Sequence, residues 1–362
     1  MAKGGGRFMG EMDESRIDAF MEQEVRDGHL PGAVLAVAVQ GQPVLRRAYG
    51  CRAVYPQKEA MEWDTVFDMA SLTKVLATLP AILKLAGDGR LSMDDTIGGH
   101  IRGYADYAEH PITIRHLLTH TSGLRAGLPM KEVMAMNREE LLERVRSERP
   151  LSTPGKEVVY SDLGFILLQL IAEQAAGEPF TSFLEREIYA PLGMKDTGFL
   201  PSFEPSRYAS TEYSEVAGAY KRGVVHDEKA ERMGGISGHA GLFSTAEDVL
   251  KFASMIHAGG RHEGREILAE SWLAEARRNQ TPFAGEFRGL GWQLANPDSP
   301  NSAGSLLSAA SYGHTGFTGT SIWFDPEREL QIVLLTNRVH FGRTDAILRI
   351  RPQLHDLISS CF

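Results

Sequence analysis

Cysteine is nearly absent from this chain. Only Cys51 and Cys361 occur in 362 residues, near opposite ends, so a disulfide framework is excluded and no spacing suggests a zinc site. Long apolar runs are missing too, since none reaches the roughly 18 residues of a membrane-spanning helix. Positive charge is not in excess: the formal net charge is −9, and Lys and Arg are scattered rather than striped. That argues against nucleic acid or an anionic membrane as partner. Fixed-period repeats and low-complexity tracts are absent. The first seven residues are polar and lack the apolar core of a secretory signal. At face value the sequence reads as cytoplasmic, or as periplasmic or extracellular if it is a trimmed mature chain.

What is present is ordinary globular composition, 43% hydrophobic and 23% charged, long enough for a sizeable core and two lobes. Residues 1–12 read as a disordered tail and 15–26 as an amphipathic helix. The apolar run 33–39, the turn at Gly41-Gln42-Pro43 and the run 44–49 read as paired strands. Helical segments dominate 88–285: Thr113 should cap 114–118, a charged helix covers 138–146, and a helix at 163–175 follows Ser161-Asp162. Thr181 should cap 182–189, and Ser244-Thr245-Ala246-Glu247 is a capping box ahead of 249–258. Strands return at 289–295, 311–316, 319–324 and 330–336, and a helix at 344–358 closes the chain. This order implies one sheet built from both ends, with residues 1–90 and 286–362 as a discontinuous sheet domain and 91–285 as an inserted, mostly helical one.

One stretch carries the first chemical signal, Met69-Ala70-Ser71-Leu72-Thr73-Lys74. It follows a strand-like segment, 65–67, and opens an apolar run, 75–86, that reads as a buried helix which Pro80 should kink or end. On a helix, Ser71 and Lys74 share a face one turn apart. Orphan N–H groups and the dipole at a helix start favour negative charge there, which suits a serine nucleophile with a built-in base. Alone, the pattern has little specificity. With 24 Ser and 10 Lys, chance supplies about one S-x-x-K match, and Ser71 reads equally well as a helix N-cap.

Acyl transfer also needs a proton shuttle, oxyanion donors and a surface that holds the substrate. Tyr160-Ser161-Asp162, just ahead of a helix, offers a phenol beside a cationic lysine as acid or base, although Tyr104-Ala105-Asp106 matches the same loose pattern. His314-Thr315-Gly316 lies next to a strand hairpin, where glycines 313, 316 and 319 allow a ligand close to the backbone. A second copy, His239-Ala240-Gly241, leads toward a helix instead.

Taken in order, Ser71-Leu72-Thr73-Lys74, Tyr160-Ser161-Asp162 and His314-Thr315-Gly316 resemble the three motifs of the penicillin-recognising serine hydrolases. The chain is closer to the branch of class C β-lactamases, D-alanyl-D-alanine carboxypeptidases and esterases, which use Tyr-x-Asn as the second motif. Phe67-Asp68-Met69-Ala70-Ser71, residues 114–124, Pro191-Leu192-Gly193-Met194 and residues 241–246 are also similar to stretches of that family, so the resemblance spans roughly 15–358. It implies an α/β (α+β) fold of the β-lactamase/transpeptidase type. Such a fold has an antiparallel sheet flanked by N- and C-terminal helices, plus an inserted all-helical lobe. By the same resemblance, Ser71 forms an acyl-enzyme, and Lys74 and Tyr160 share the work of base and acid. The backbone N–H groups of Ser71 and Phe317 form an oxyanion hole, and Asp162, His314, Thr315 and Gly316 bind substrate. No metal or organic cofactor is implied, and the substrate is a small ester, amide or peptide. A true β-lactamase or D-Ala-D-Ala carboxypeptidase is the alternative, and a catalytically silent peptide-binding member is a further one.

Two residues depart from that pattern. His314 stands where β-lactamases carry lysine, so a fixed cation for a substrate carboxylate is missing there. Asp162 replaces the usual Asn; its carboxylate should pair with Lys74, raise its pKa and repel anionic substrates. Reading the second motif as Ser161-Asp162-Leu163 is the other register. A G-x-S-x-G elbow is lacking, since Gly235-Ile236-Ser237-Gly238-His239 fails at its last position. His116 and His120, four apart, read as structural or cleft-lining rather than as metal ligands. His226-Asp227-Glu228 reads as a solvated acidic loop.

Overall fold

A strand that is apolar at every position must be covered on both faces. The computed structural model, which describes residues 13–101, 104, 111–298 and 301–362, meets that demand at the centre of one sheet. Seven strands form it: β1 (Gly32–Val39), β2 (Gln42–Ala53), β3 (Glu59–Ala60), β4 (Gln293–Leu294), β5 (Tyr312–Thr315), β6 (Ser321–Asp325) and β7 (Leu330–Thr336). They lie in the order β4-β5-β6-β7-β1-β2-β3, and every pairing is antiparallel. All of β1 is buried. Leu35 and Val37 face a layer built by the terminal helices Glu14–Arg26 and Ala346–Ser359, through Ile17, Met21, Ile350 and Leu354. Val34, Ala36 and Ala38 point the other way, into a larger core shared with Leu72, Leu76, Leu79 and Val249.

The helices and the sheet agree with the sequence expectation in kind, with differences at the edges. Residues 1–12 lie outside the described part of the chain. The strand expected over 289–295 shortens to β4, because Gly291, at φ 73°, turns the backbone just before it. Thr113 caps Ile114–Leu118 in a reciprocal capping box with His116. Pro179, not Thr181, precedes Phe180–Leu184. Thr245, rather than Ser244, caps Ala246–His257, accepting the Asp248 N–H. The inserted stretch is mostly but not wholly helical. Leu242–Ser244 pairs with Phe67–Asp68 on one side and Gly198–Phe199 on the other, and two small hairpins occupy 213–220 and 261–266. Ala246–His257 also packs directly on β1 and β7, laying its apolar stripe on the face that Val34, Ala36 and Ala38 present.

The segment that carries Ser71 changes pitch twice. A 3₁₀ turn at Ala70–Leu72 gives way to a π-turn at Lys74–Thr78 and then to an α-helix at Leu79–Gly87. Pro80 explains the wide turn. It has no N–H to offer the Leu76 carbonyl four residues earlier, and the Tyr189 hydroxyl donates to that carbonyl instead, at 3.2 Å. Proline therefore neither ends the segment nor leaves a buried acceptor unpaired. Taken as one window, Ala70–Gly87 is long and apolar enough to cross a membrane, with mean hydropathy 1.3, yet 83% of it is buried inside the fold. It is the core helix of this molecule.

Tyr189→Phe removes the hydroxyl that donates to the Leu76 carbonyl while keeping the ring in place. It should cost about 1–3 kcal/mol and lower the melting temperature by a few degrees at most. A thermal scan showing no change would place the compensation elsewhere.

Candidate functional site

Ser71 is presented by a strained backbone. Ala70, the residue before it, sits at φ 46°, a conformation that non-glycine residues keep only when their surroundings hold them there. The Asp68 carboxylate does part of the holding, accepting the N–H of Ala70 at 2.8 Å and that of His226 at 2.6 Å. A second clamp comes from the turn after β5. Thr318 Oγ1 donates to the Asp68 carbonyl at 2.8 Å and Thr320 Oγ1 to the Met69 carbonyl at 3.1 Å. Gly316 lies so close to this segment that a Cβ there would stand 2.5 Å from the Met69 carbonyl oxygen and 2.1 Å from Thr320 Oγ1. These contacts bring Phe317 beside Ser71. The Phe317 N–H makes no hydrogen bond among the described residues. The Ser71 N–H, second in its turn, precedes the first intrahelical acceptor.

Lys74 is fully buried. Its ammonium carries three protons and meets three acceptors: Ser71 Oγ at 3.0 Å, Asp162 Oδ1 at 2.9 Å and the His239 carbonyl at 3.1 Å. Burial disfavours the charge, but Asp162 and then Tyr160 more than offset it, and the pKa lies above the ordinary lysine value. Asp162 is the mirror image. Burial pulls its carboxyl up, while Lys74, His239 and Lys229 together hold it well below the usual carboxylate range. Its second oxygen accepts from Lys229 Nζ at 2.9 Å. Lys229 also lies 3.6 Å from Asp227, and Asp227 Oδ1 contacts His239 Nε2 at 2.9 Å. The ring's Nδ1 meets Ser237 Oγ at 2.7 Å.

Two sequence expectations are corrected by this chain of contacts. His226-Asp227-Glu228 is not a solvated acidic loop. His226 is buried, and burial would raise the Asp227 carboxyl if His239 and Lys229 did not hold it down. The second His-Ala-Gly copy leads into the strand Leu242–Ser244 rather than a helix, and its His239 carbonyl is one of the three acceptors on Lys74. Lys229 had no motif to mark it.

The Tyr160 ring closes the site. Its centre lies 4.9 Å from Lys74 Nζ and 5.4 Å from the Arg288 guanidinium, with the His120 ring at 4.4 Å and the His314 ring at 6.1 Å. His120, at φ 59°, accepts the Ser161 N–H on Nδ1 at 3.0 Å. His314 Nδ1 faces the Thr315 carbonyl at 2.8 Å, so its proton sits there and Nε2 is a bare, buried acceptor. Burial, then Arg288 and Lys74, push the His314 pKa well below the ordinary histidine value, and the ring is neutral at pH 7. A fixed cation is nevertheless present. Arg288 is buried; Glu286 accepts from its Nη2, while its Nε has no partner among the described residues, a feature that no sequence pattern announced.

The structure thus brings Ser71, Lys74, Tyr160, Asp162, His314, Gly316 and Phe317 to one place, with Thr315 half-buried at the end of β5. Ser161 belongs elsewhere: its hydroxyl caps the helix Asp162–Ala176 and donates to the Arg125 carbonyl at 2.7 Å. Tyr104 is a buried core residue that donates to the Glu148 carbonyl. His116 is spent on the Thr113 N–H, so it does not join His120. Among the described residues, Asp162, Asp227 and His239 form a group with ligand-type atoms within 4.8 Å of one another. The Lys229 ammonium already bridges its two carboxylates.

Comparison with known proteins places this geometry. The family model described as Beta-lactamase matches residues 17–355. A protein of Escherichia coli K12, provisionally named as a D-alanyl-D-alanine carboxypeptidase, is 32% identical, over 90% of this chain and 82% of its own. Among solved structures, EstCE1, described as a hydrolase with promiscuous acyltransferase activity, superposes with TM-score 0.75. It is 24% identical, with 94% of this chain and 98% of that one covered. A Pseudomonas syringae structure described as a β-lactamase/D-alanine carboxypeptidase gives TM-score 0.74 at 20% identity, covering 95% and 98%. These structures share the fold. The chain belongs to the β-lactamase family, and with it to the serine hydrolases.

Proposed function

We propose that this chain hydrolyses small neutral esters and amides through an acyl-enzyme on Ser71. The 3.0 Å contact between Ser71 Oγ and the buried Lys74 ammonium carries this reading. Because the serine oxygen accepts from Lys74, its own proton is directed elsewhere; once the Lys74–Tyr160 pair has lost one proton, the phenolate oxygen of Tyr160 takes it. Ser71 Oγ bonds to the substrate carbonyl carbon as that proton leaves. The carbonyl oxygen gains the negative charge and faces the N–H groups of Ser71 and Phe317. When the tetrahedral intermediate collapses, the bond to the leaving group breaks and the Tyr160–Lys74 pair returns the proton to it. Water then repeats the sequence on the acyl-enzyme.

The preference for uncharged substrates follows from His314. A neutral imidazole in place of lysine gives an anionic leaving group no ion pair from that strand. A second reading, cleavage of a peptide ending in a free carboxylate, is supported by Arg288. That guanidinium over the Tyr160 ring is a cation that could replace the missing lysine, and the Escherichia coli relative is named for such an activity.

A fluorophosphonate should add one label to the wild-type chain, read by intact mass, and none to Ser71→Ala. That variant should melt within roughly 3 °C of wild type, because Lys74 keeps two of its three acceptors. A folded wild type that takes no label from the fluorophosphonate or from a penicillin would end the enzyme reading. Rates on p-nitrophenyl butyrate, a D-Ala-D-Ala peptide and a chromogenic cephalosporin separate the substrate classes. The ester should lead by at least about tenfold, a difference of ~1.4 kcal/mol in barrier, whereas a lead for the peptide that vanishes in Arg288→Met would select the second reading.

A further inference from the structure

Lys229 lies one carboxylate away from the proposed base pair and, among the described residues, makes its ion pairs with Asp162 and Asp227 rather than with Ser71 or Tyr160. Its ammonium binds the Asp162 oxygen that Lys74 does not use, at 2.9 Å, and stands 3.6 Å from Asp227. The four groups alternate in sign: Lys74, Asp162, Lys229, Asp227. Without the ammonium, two carboxylates whose oxygens lie within 4.8 Å of one another would face each other in a largely buried setting with no cation between them. Lys229 is also anchored. It sits in the short helix Glu228–Arg232, whose cap Asp227 accepts the Ala230 N–H at 2.8 Å, and it is mostly buried.

We propose that Lys229 is a positioning residue that sets the pH at which the Lys74–Tyr160 pair gives up its proton. This rests on the reading of Ser71 as the nucleophile. By holding the second oxygen of Asp162, Lys229 limits the negative charge that reaches Lys74. The sign is the same whether the titrating group is the amine or the phenol, because the two are coupled and a nearby cation disfavours the proton on either. Other charged and titratable groups also stand around Lys74. They are Asp227 and His239 from the loop over 226–241, His120 and Tyr160 beside the ring stack, His314 on β5, and Arg288 ahead of β4.

The test is the rate of fluorophosphonate labelling of Ser71 as a function of pH. The probe is uncharged and does not titrate, so the acid limb reports the enzyme. Lys229→Met should move that limb to higher pH by about one unit or more, as expected for a unit charge lost a few ångströms away. Asp162→Asn should move it to lower pH. The double variant Asp162→Asn/Lys229→Met, which loses one charge of each sign, should return it to near the wild-type position. Lys229→Arg should leave it in place. Should Lys229→Met fail to fold, the double variant compared with Asp162→Asn alone carries the same test. Variants that lose thermal stability while every limb coincides with wild type would reduce Lys229 to a structural ion pair and overturn the proposal. A wild type that takes no label removes the base, and the proposal with it. A labelled wild type with an unmoved limb overturns the proposal alone.

Discussion

A lysine ammonium buried completely under protein must be neutralised where it stands, since stripping water from an unpaired charge costs several kcal/mol. Lys74 is such a group, and the Asp162 carboxylate that answers it fixes more than one side chain. Asp162 is the first residue of the helix Asp162–Ala176, so the ion pair sets where that helix begins against the one carrying Ser71. The third proton of Lys74 fixes a backbone carbonyl, that of His239, and so the loop 237–241. That loop is wedged in turn: Thr78 Oγ1 donates to the Gly238 carbonyl at 2.6 Å, Gln169 Oε1 accepts the Gly238 N–H at 2.8 Å, and a Cβ on Gly238 would stand 2.2 Å from the Phe165 carbonyl oxygen. One charge therefore orders two helices and the loop between them.

Backbone strain and side-chain charge are handled by different parts of the molecule. The left-handed Ala70 is held by Asp68 and by the threonine hydroxyls of the turn after β5, with no contribution from the lysines. Burial raises the pKa of the Asp68 carboxyl even though it accepts two backbone N–H groups. Asp68 thus does its work as a hydrogen-bond acceptor for the peptide chain. The Lys74–Asp162–Lys229–Asp227 series governs protons instead. The two systems meet at Ser71, whose position is set by the first and whose hydrogen bond is set by the second, and again where Asp68 accepts the N–H of His226, the neighbour of Asp227.

What the sequence revealed was whatever is local. The apolar run of β1, the cap at Thr113, the Ser-x-x-Lys spacing and the strand hairpin of β6 and β7 are patterns within a few residues, and each is present. The contacts that complete the site are not local. Lys229 and Asp227 are unremarkable charges in a loop until folding sets them beside Asp162, and a backbone carbonyl such as that of His239 has no side-chain signature at all. Pro80 was readable as a helix disturbance, but its effect depended on Tyr189, a distant hydroxyl that takes over the missing donor's place. Arg288 was invisible for the opposite reason: one arginine near a strand is common, and only its burial without a full set of partners distinguishes it.

The pairing of β1 with β7 has a kinetic side. Ala33 lies opposite Thr336 and Val39 opposite Leu330, so the central strand of the sheet closes a loop of nearly the whole chain. Closing loops of that size is an entropic barrier that local contacts cannot lower. Ser71 leaves the ribosome well before the turn that braces Ala70 and carries the Phe317 N–H. The left-handed Ala70 is therefore without these two braces until β5–β7 dock, and the backbone that presents Ser71 is completed only at that step.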